Sequence, residues 1–323
     1  MKTRKINPRS SNHSTALSLT SQLSRIGLAL LAALCMCSVA ASAATCTQIS
    51  GPALTQIAVG SSQIWGIDAS GNVYQYKGKA FSQIPHLPAP LTQITVGEGK
   101  SVWGLDKDGN IYQYIFPKGP FVQEGSPLQL KQISAGAANS GSSVGVWGVG
   151  LTGGVHYWNG TEFEAFSQSG FPAGGATVTF ISVGQTQPFA LDSNGHAYLY
   201  NNNTGFFDGP LGAAAGGEQV LSQISVGSEL YAWGINSSDD IYVYNDTTEV
   251  FDQVASSQHL SSISVLNSDV PWGLGETSGH LYKVSGGALQ QECSGVDTFK
   301  QVAAGATTGK TWAITTGGAI YKF

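Results

Sequence analysis

After residue 44 the sequence has no arginine, only two cysteines and no stretch with the 3.6-residue apolar period of a helix. Each shortage excludes a class of protein. A surface made for nucleic acid needs a basic footprint. Here Lys2, Arg4, Lys5, Arg9 and Arg25 all precede residue 30, which leaves residues 45–323 with ten of the 15 basic residues against all 20 acidic ones, a net of −10, with the lysines scattered singly. Disorder is excluded by the opposite shortage, since charged residues make up only 11% of the chain and aromatics reach 10%. There is no paired Cys/His spacing of a zinc site, and the Gly-rich stretch Gly212 to Gly217 is not followed by the Lys-Ser/Thr of a phosphate cradle. The chain is therefore expected to be non-catalytic, without cofactor or metal.

Glycine is abundant, at 42 residues, with 12 prolines and no three-residue period, which is turn-rich β composition and not collagen. The amino end is a separate object. A polar, basic stretch leads into an apolar run from Ile26 to Val39 and the small triplet Ala41-Ser42-Ala43. That pattern reads as a secretory signal peptide over residues 1–44, with a membrane anchor as the alternative. Cleavage would give a secreted or periplasmic protein over 45–323 with no stable membrane insertion. It would remove two of the four cysteines. The remaining pair, Cys46 and Cys293, reads in an exported chain as a disulfide tying its two ends together.

A repeat runs through everything that follows. Leu54-Thr-Gln-Ile-Ala-Val-Gly60 recurs with its start at 91, 130, 178, 221, 260 and 299, which makes seven units of about 40 residues. Each unit continues with a second apolar strand opened by an aromatic residue: Trp65, Trp103, Trp147, Phe189, Trp233, Trp272 and Trp312. A third strand alternates aromatics with other residues, as in Val73-Tyr-Gln-Tyr76, Ile111-Tyr-Gln-Tyr114 and Ala197-Tyr-Leu-Tyr200, and a fourth follows a turn, as in Phe81-Ser-Gln-Ile84. Four short antiparallel strands per unit predict an all-β, single β-propeller of seven four-stranded blades, in preference to a solenoid. The last unit stops at Phe323 after its third strand. Cys46-Thr-Gln-Ile49 aligns with the fourth strand of the first unit, so the amino-terminal strand is expected to complete the seventh blade.

On these phrases the chain resembles the tectonin-repeat propellers, most fully over Ile84 to Gly97 followed by Val102-Trp-Gly-Leu-Asp and Ile111-Tyr-Gln-Tyr. The family includes lectins for sugars and lipopolysaccharide. The resemblance thus implies glycan or lipopolysaccharide-type saccharide as the partner, bound at repeated clefts between blades. The departures are the seven units, where the family's lectins more often have six, and Phe81, Phe251 or Cys46 where a tryptophan often opens the fourth strand.

Trp65, Trp103, Trp147, Trp233, Trp272 and Trp312 share one repeat position, which suits either packing between blades or stacking on the apolar face of a sugar. Asp68, Asp106 and Asp192 share a turn position, where Asp and Gly reverse the backbone; His196 and His280 follow such turns and read as turn residues. The expected topology places the first-to-second and third-to-fourth loops on one face, where Phe116 to Gly119, Ala137 to Gly145, Asn201 to Gly205 and Asn245 to Thr248 offer amides, hydroxyls and acids for polyols. The expected function is a secreted, multivalent lectin, with a non-catalytic protein-binding scaffold as the alternative.

Overall fold

The computed structural model describes residues 46–117, 119–136, 145–185, 187–228, 230–265, 270–285, 288–296, 298–305 and 310–323. The signal segment and most of the loop from residue 137 to 145 lie outside the described residues. The strands form seven sheets in chain order. Blade 1 consists of Leu54–Val59, Ile64–Asp68, Val73–Tyr76 and Phe81–Gln83, each pairing antiparallel with the next. Blades 2 to 6 repeat that order. Blade 7 supplies Phe299–Ala303, Trp312–Thr315 and Ile320–Lys322, and the amino-terminal strand Thr47–Ile49 adds its outer edge, with Gln48 opposite Tyr321. First strands of consecutive blades touch all the way round, and that of blade 7 meets that of blade 1, so the ring is closed.

The seven first strands line a central channel of about 370 Å³, and their repeated phrase has a physical explanation there. Its leucine is buried in every blade that has one. The Gly after the tryptophan makes room for that leucine: a Cβ on Gly66 would sit 2.4 Å from Leu54 Cδ1. The next residue, Thr55 in blade 1, sits at a bulge where the register slips, and its hydroxyl donates to the Ile67 carbonyl at 3.0 Å.

The glutamine that follows is a clasp. In blade 1, Gln56 Nε2 donates to the Ile94 carbonyl of blade 2 at 3.3 Å and Gln56 Oε1 accepts the Ile94 N–H at 2.8 Å. Gln93, Gln132, Gln223 and Gln301 make the same pair with Ile133, Ile181, Ile263 and Ile57 of the next blade. Two residues on, the hydroxyls of Thr95, Ser134, Ser182, Ser225 and Ser264 accept an N–H from the next blade at 2.9–3.1 Å. Where Phe180 or Ser262 replaces the glutamine, the serine clasp bridges the gap, and where Ala58 or Ala303 replaces the serine, the glutamine does, so every junction is crossed. These clasps satisfy backbone groups that an innermost edge strand would leave open to the channel.

Removing one clasp strands two backbone groups. Gln132→Ala is therefore expected to destabilise the protein by about 2 kcal/mol, read by denaturant unfolding. Ser262→Gln, which restores an arm where the Ser262 hydroxyl is buried without a partner, is expected to stabilise it. Equal unfolding midpoints for Gln132→Ala and wild type would refute the clasp.

Two features go beyond the sequence expectation. The glycine-rich connection after blade 4 does more than link: Gly212–Ala213 pairs parallel with Val250–Gln253 as a fifth strand of blade 5. Gly216 and Gly217, at φ of 92° and 85°, turn the chain back so that Ala213 N–H donates to Gly217 O at 2.9 Å. The Cys46–Cys293 disulfide, with Cα atoms 5.6 Å apart, ties the residue before the outer strand of blade 7 to the end of blade 6, just after Ala288–Glu292. The only helical element among the described residues is the 3₁₀ turn Ala173–Gly175, and no helix among them is long and apolar enough to cross a membrane.

Candidate functional site

The shared tryptophan position lies at the junctions between blades. Trp65, Trp103, Trp147, Trp272 and Trp312 are buried, and Trp233 is half-buried. Each of the five buried rings meets an aromatic residue at the end of the third strand in the next blade. Trp65 meets Tyr114 at 4.8 Å, Trp103 meets Trp158 at 4.9 Å and Trp147 meets Tyr200 at 5.0 Å. Trp272 meets Phe323 at 5.5 Å, and Trp312 closes the circle on Tyr76 at 4.7 Å. Rings buried to this degree offer no face to a sugar, so saccharide contact at these five positions gives way to packing. Aromatic pairs of this edge-on kind add to the burial of their area.

In blades 1, 2 and 4 the first tyrosine of the third strand serves the turn below it. Tyr74 and Tyr112 donate to Asp68 Oδ2 and Asp106 Oδ2 at 3.0 and 3.1 Å. The same carboxylates take the N–H groups of Ser70 and Asn72, or of Asp108 and Asn110, and the Asn side-chain amide. Burial alone would raise the pKa of Asp68 and Asp106, but the hydrogen bonds from Asn72 and Asn110 and their neighbours outweigh it and hold both carboxyls below the usual range. All four carboxylate oxygens are thus turn acceptors. In blade 4, Asp192 receives Asn194 N–H, His196 N–H and Tyr198 OH. His196 is clamped between Asp192 and Glu218, 3.4 and 2.9 Å away. His280 Nδ1 faces Gln291 Nε2 at 3.1 Å.

Two of the loops expected to offer free amides bind their own backbone. Asn201 and Asn245 accept N–H groups two and three residues on, and their amides donate to Asp208 and Asp252 at 2.8 and 2.9 Å. A cleft opens on the opposite face, between the second-to-third turns of blades 1 and 2. It holds about 520 Å³. Its wall on the blade 2 side is the end of the Ile84 to Pro90 connection, which carries Pro85, Pro88 and Pro90 and bends at His86 with φ of 56°. Ala69, Ala89, Pro90 and Leu91 give it an apolar floor, and Ser70, Thr92, Lys107 and Asp108 a polar rim. Lys107 Nζ and Asp108 Oδ1 lie 2.7 Å apart and largely exposed, so both remain available to a ligand. A smaller cavity of about 160 Å³ sits on the other face, in blade 5 beside its contact with blade 4.

Sequence reasoning missed this cleft. The prolines at 85, 88 and 90 were its only signal, since no other connection between units carries three.

Seven four-stranded antiparallel blades closed around a channel define a β-propeller. The Tectonin domain family model matches residues 53–206, and the same strand order, aromatic junctions and channel clasps continue to the carboxyl end, consistent with the tectonin-repeat propellers. No curated protein matches it. Among solved structures it is similar to the β-propeller domain of Cps50 (Swd1) from Myceliophteria thermophila, with 8% identity, a TM-score of 0.65 and coverage of 86% of this chain and 99% of that one. It is similar to YCF48 from Cyanidioschyzon merolae, with 14% identity, a TM-score of 0.60 and coverage of 87% and 98%. A catalytically inactive virginiamycin B lyase from Staphylococcus aureus, solved with quinupristin, gives 12%, 0.61, 86% and 98%. At these identities the likeness is one of fold.

Proposed function

We propose that the protein is an exported, non-catalytic carbohydrate-binding propeller that takes saccharide in clefts between blades. The observation that carries this reading is the blade 1 to blade 2 cleft. Its volume of about 520 Å³ accommodates one or two sugar rings, its aliphatic floor suits their C–H faces, and its rim places a hydroxyl, an ammonium and a carboxylate where sugar hydroxyls need partners. The Tectonin match, a disulfide joining blades 6 and 7 and the signal-like pattern of residues 26–43 agree with an extracellular or periplasmic setting. A target presenting many copies of its sugar would turn weak sites into firm attachment.

The test is a glycan array including bacterial polysaccharides, followed by titration of any hit. Lys107→Ala/Asp108→Ala alters two exposed residues and is expected to weaken binding about tenfold, equivalent to about 1.4 kcal/mol, without changing the melting temperature. Unchanged affinity in that variant would move the site elsewhere. A blank array would favour the protein-binding scaffold, for which exposed Ile115, Phe206 and Tyr231 are the first residues to probe.

A further inference from the structure

The junction of blades 4 and 5 breaks the repeat twice. Where the other blades have tryptophan, blade 4 has Phe189, whose ring meets Tyr244 of blade 5 at 5.3 Å. In blade 1, Gln63 Oε1 accepts the Trp65 indole N–H at 3.0 Å. The residue in the corresponding place in blade 4 is Gln187, and its Oε1 is buried without a partner because a phenyl ring has no N–H to give. The phenyl ring is also smaller than an indole. On the blade 5 side of this contact a 160 Å³ cavity opens, lined by Leu230, Tyr231, Tyr244 and Asp246, with Tyr244 the residue that also touches Phe189.

The chemistry of that cavity is one-sided. Tyr231 occupies the place of Gln63 in blade 1 and Ser101 in blade 2, and instead of capping an indole it is 42% exposed. Asp246 is exposed beside it, and no cation lines the cavity. The phenol of Tyr244 is pushed up to about 12, first by burial and then by the carboxylates of Glu249, Asp246 and Asp208. The corner thus has a surplus of acceptors and negative charge beside an accessible aromatic ring, which complements a cation carried on a body with an apolar face.

We propose that the blade 4 to blade 5 cavity binds a deacetylated amino sugar, with the sugar's ammonium at the Asp246 carboxylate and Tyr244 oxygen and its ring against Tyr231. The choice of a sugar as carrier rests on the saccharide-binding reading above; the site itself is separate from the blade 1 to blade 2 cleft. N-acetylation would remove the charge and enlarge the group, so the cavity discriminates by charge as well as by size.

The test is titration of the purified protein with D-glucosamine, N-acetyl-D-glucosamine, D-glucose and ethanolamine, followed by calorimetry or ligand-observed NMR. Glucosamine is expected to bind at least tenfold more tightly than the other three. Asp246→Asn, a change at an exposed side chain, should weaken it at least tenfold. Phe189→Trp should weaken it by pressing on Tyr244 while supplying an N–H to Gln187, with the melting temperature held or raised. Equal binding of the three sugars, ethanolamine binding as tight as glucosamine, or glucosamine affinity unchanged in Asp246→Asn would each overturn the proposal. Loss of glucosamine binding in Lys107→Ala/Asp108→Ala but not in Phe189→Trp would also overturn it while leaving the saccharide-binding reading standing.

Discussion

With Cys46 and Cys293 both replaced by alanine, the protein is expected to melt on the order of 10 °C lower. The bond spans 247 residues. In the chain-entropy account, closing a loop of that length removes about 5 kcal/mol of freedom from the unfolded chain. The native state adds a local reason. The strand that completes blade 7, Thr47–Ile49, is only three residues long, pairs with one neighbour and is mostly exposed. Without Cys46 it is held by that pairing and by the half-buried Ile49 alone. Amide exchange at residues 47–49 should therefore rise further than exchange at Leu54–Val59, and opening of the outer edge of blade 7 should precede global unfolding. Wild-type protein in strong reductant should behave like the double variant. A melting temperature within a degree of wild type would show that the ring closes by packing and clasps, with the cross-link adding little.

The ring closure was legible because it depends on counting strands. Seven copies of one phrase, a last unit lacking its fourth strand and a spare strand at residues 46–49 leave one arrangement that completes every blade. The tryptophan position was also legible, though its role was not. A residue found once per blade can face a neighbour or the solvent, and period alone does not say which. Burial of Trp65 against Tyr114 decides it. The second aromatic of Tyr-x-Tyr is the partner of the preceding blade's tryptophan, so the two motifs are halves of one contact about 50 residues apart. The glutamine clasps were visible as letters in Leu-Thr-Gln-Ile. Their meaning required closure, since a channel-facing glutamine finds the next blade's backbone only once the ring has formed. The cleft was least legible. It depends on how the bent, proline-bearing connection seats Pro90 and Leu91 against the Gly71 turn of blade 1, which no pattern of residue types encodes.

Trp103→Ala carries the second large effect, and it separates the two roles that the repeat leaves open. The ring is 1% exposed and is wedged against Trp158 and Phe163 of blade 3 at 4.9 and 5.6 Å. Deleting it leaves a cavity between two rigid sheets that cannot collapse without shifting a blade, and the expected cost is about 4 kcal/mol. Trp233→Ala should cost distinctly less. That ring is half-buried, and its indole N–H is buried without a partner, so the substitution removes an uncompensated polar group along with the packing. Denaturant unfolding of the two variants reads the difference directly. If these tryptophans serve as keystones, saccharide binding per folded molecule is unchanged in Trp103→Ala at temperatures where it remains native, because the blade 1 to blade 2 cleft draws its lining from the other side of blade 2. If Trp103→Ala instead lost binding with less than 1 kcal/mol of destabilisation, the ring would have to be reachable by ligand. The junctions would then breathe enough to admit a sugar, and burial in the closed ring would no longer exclude the tryptophans from the site.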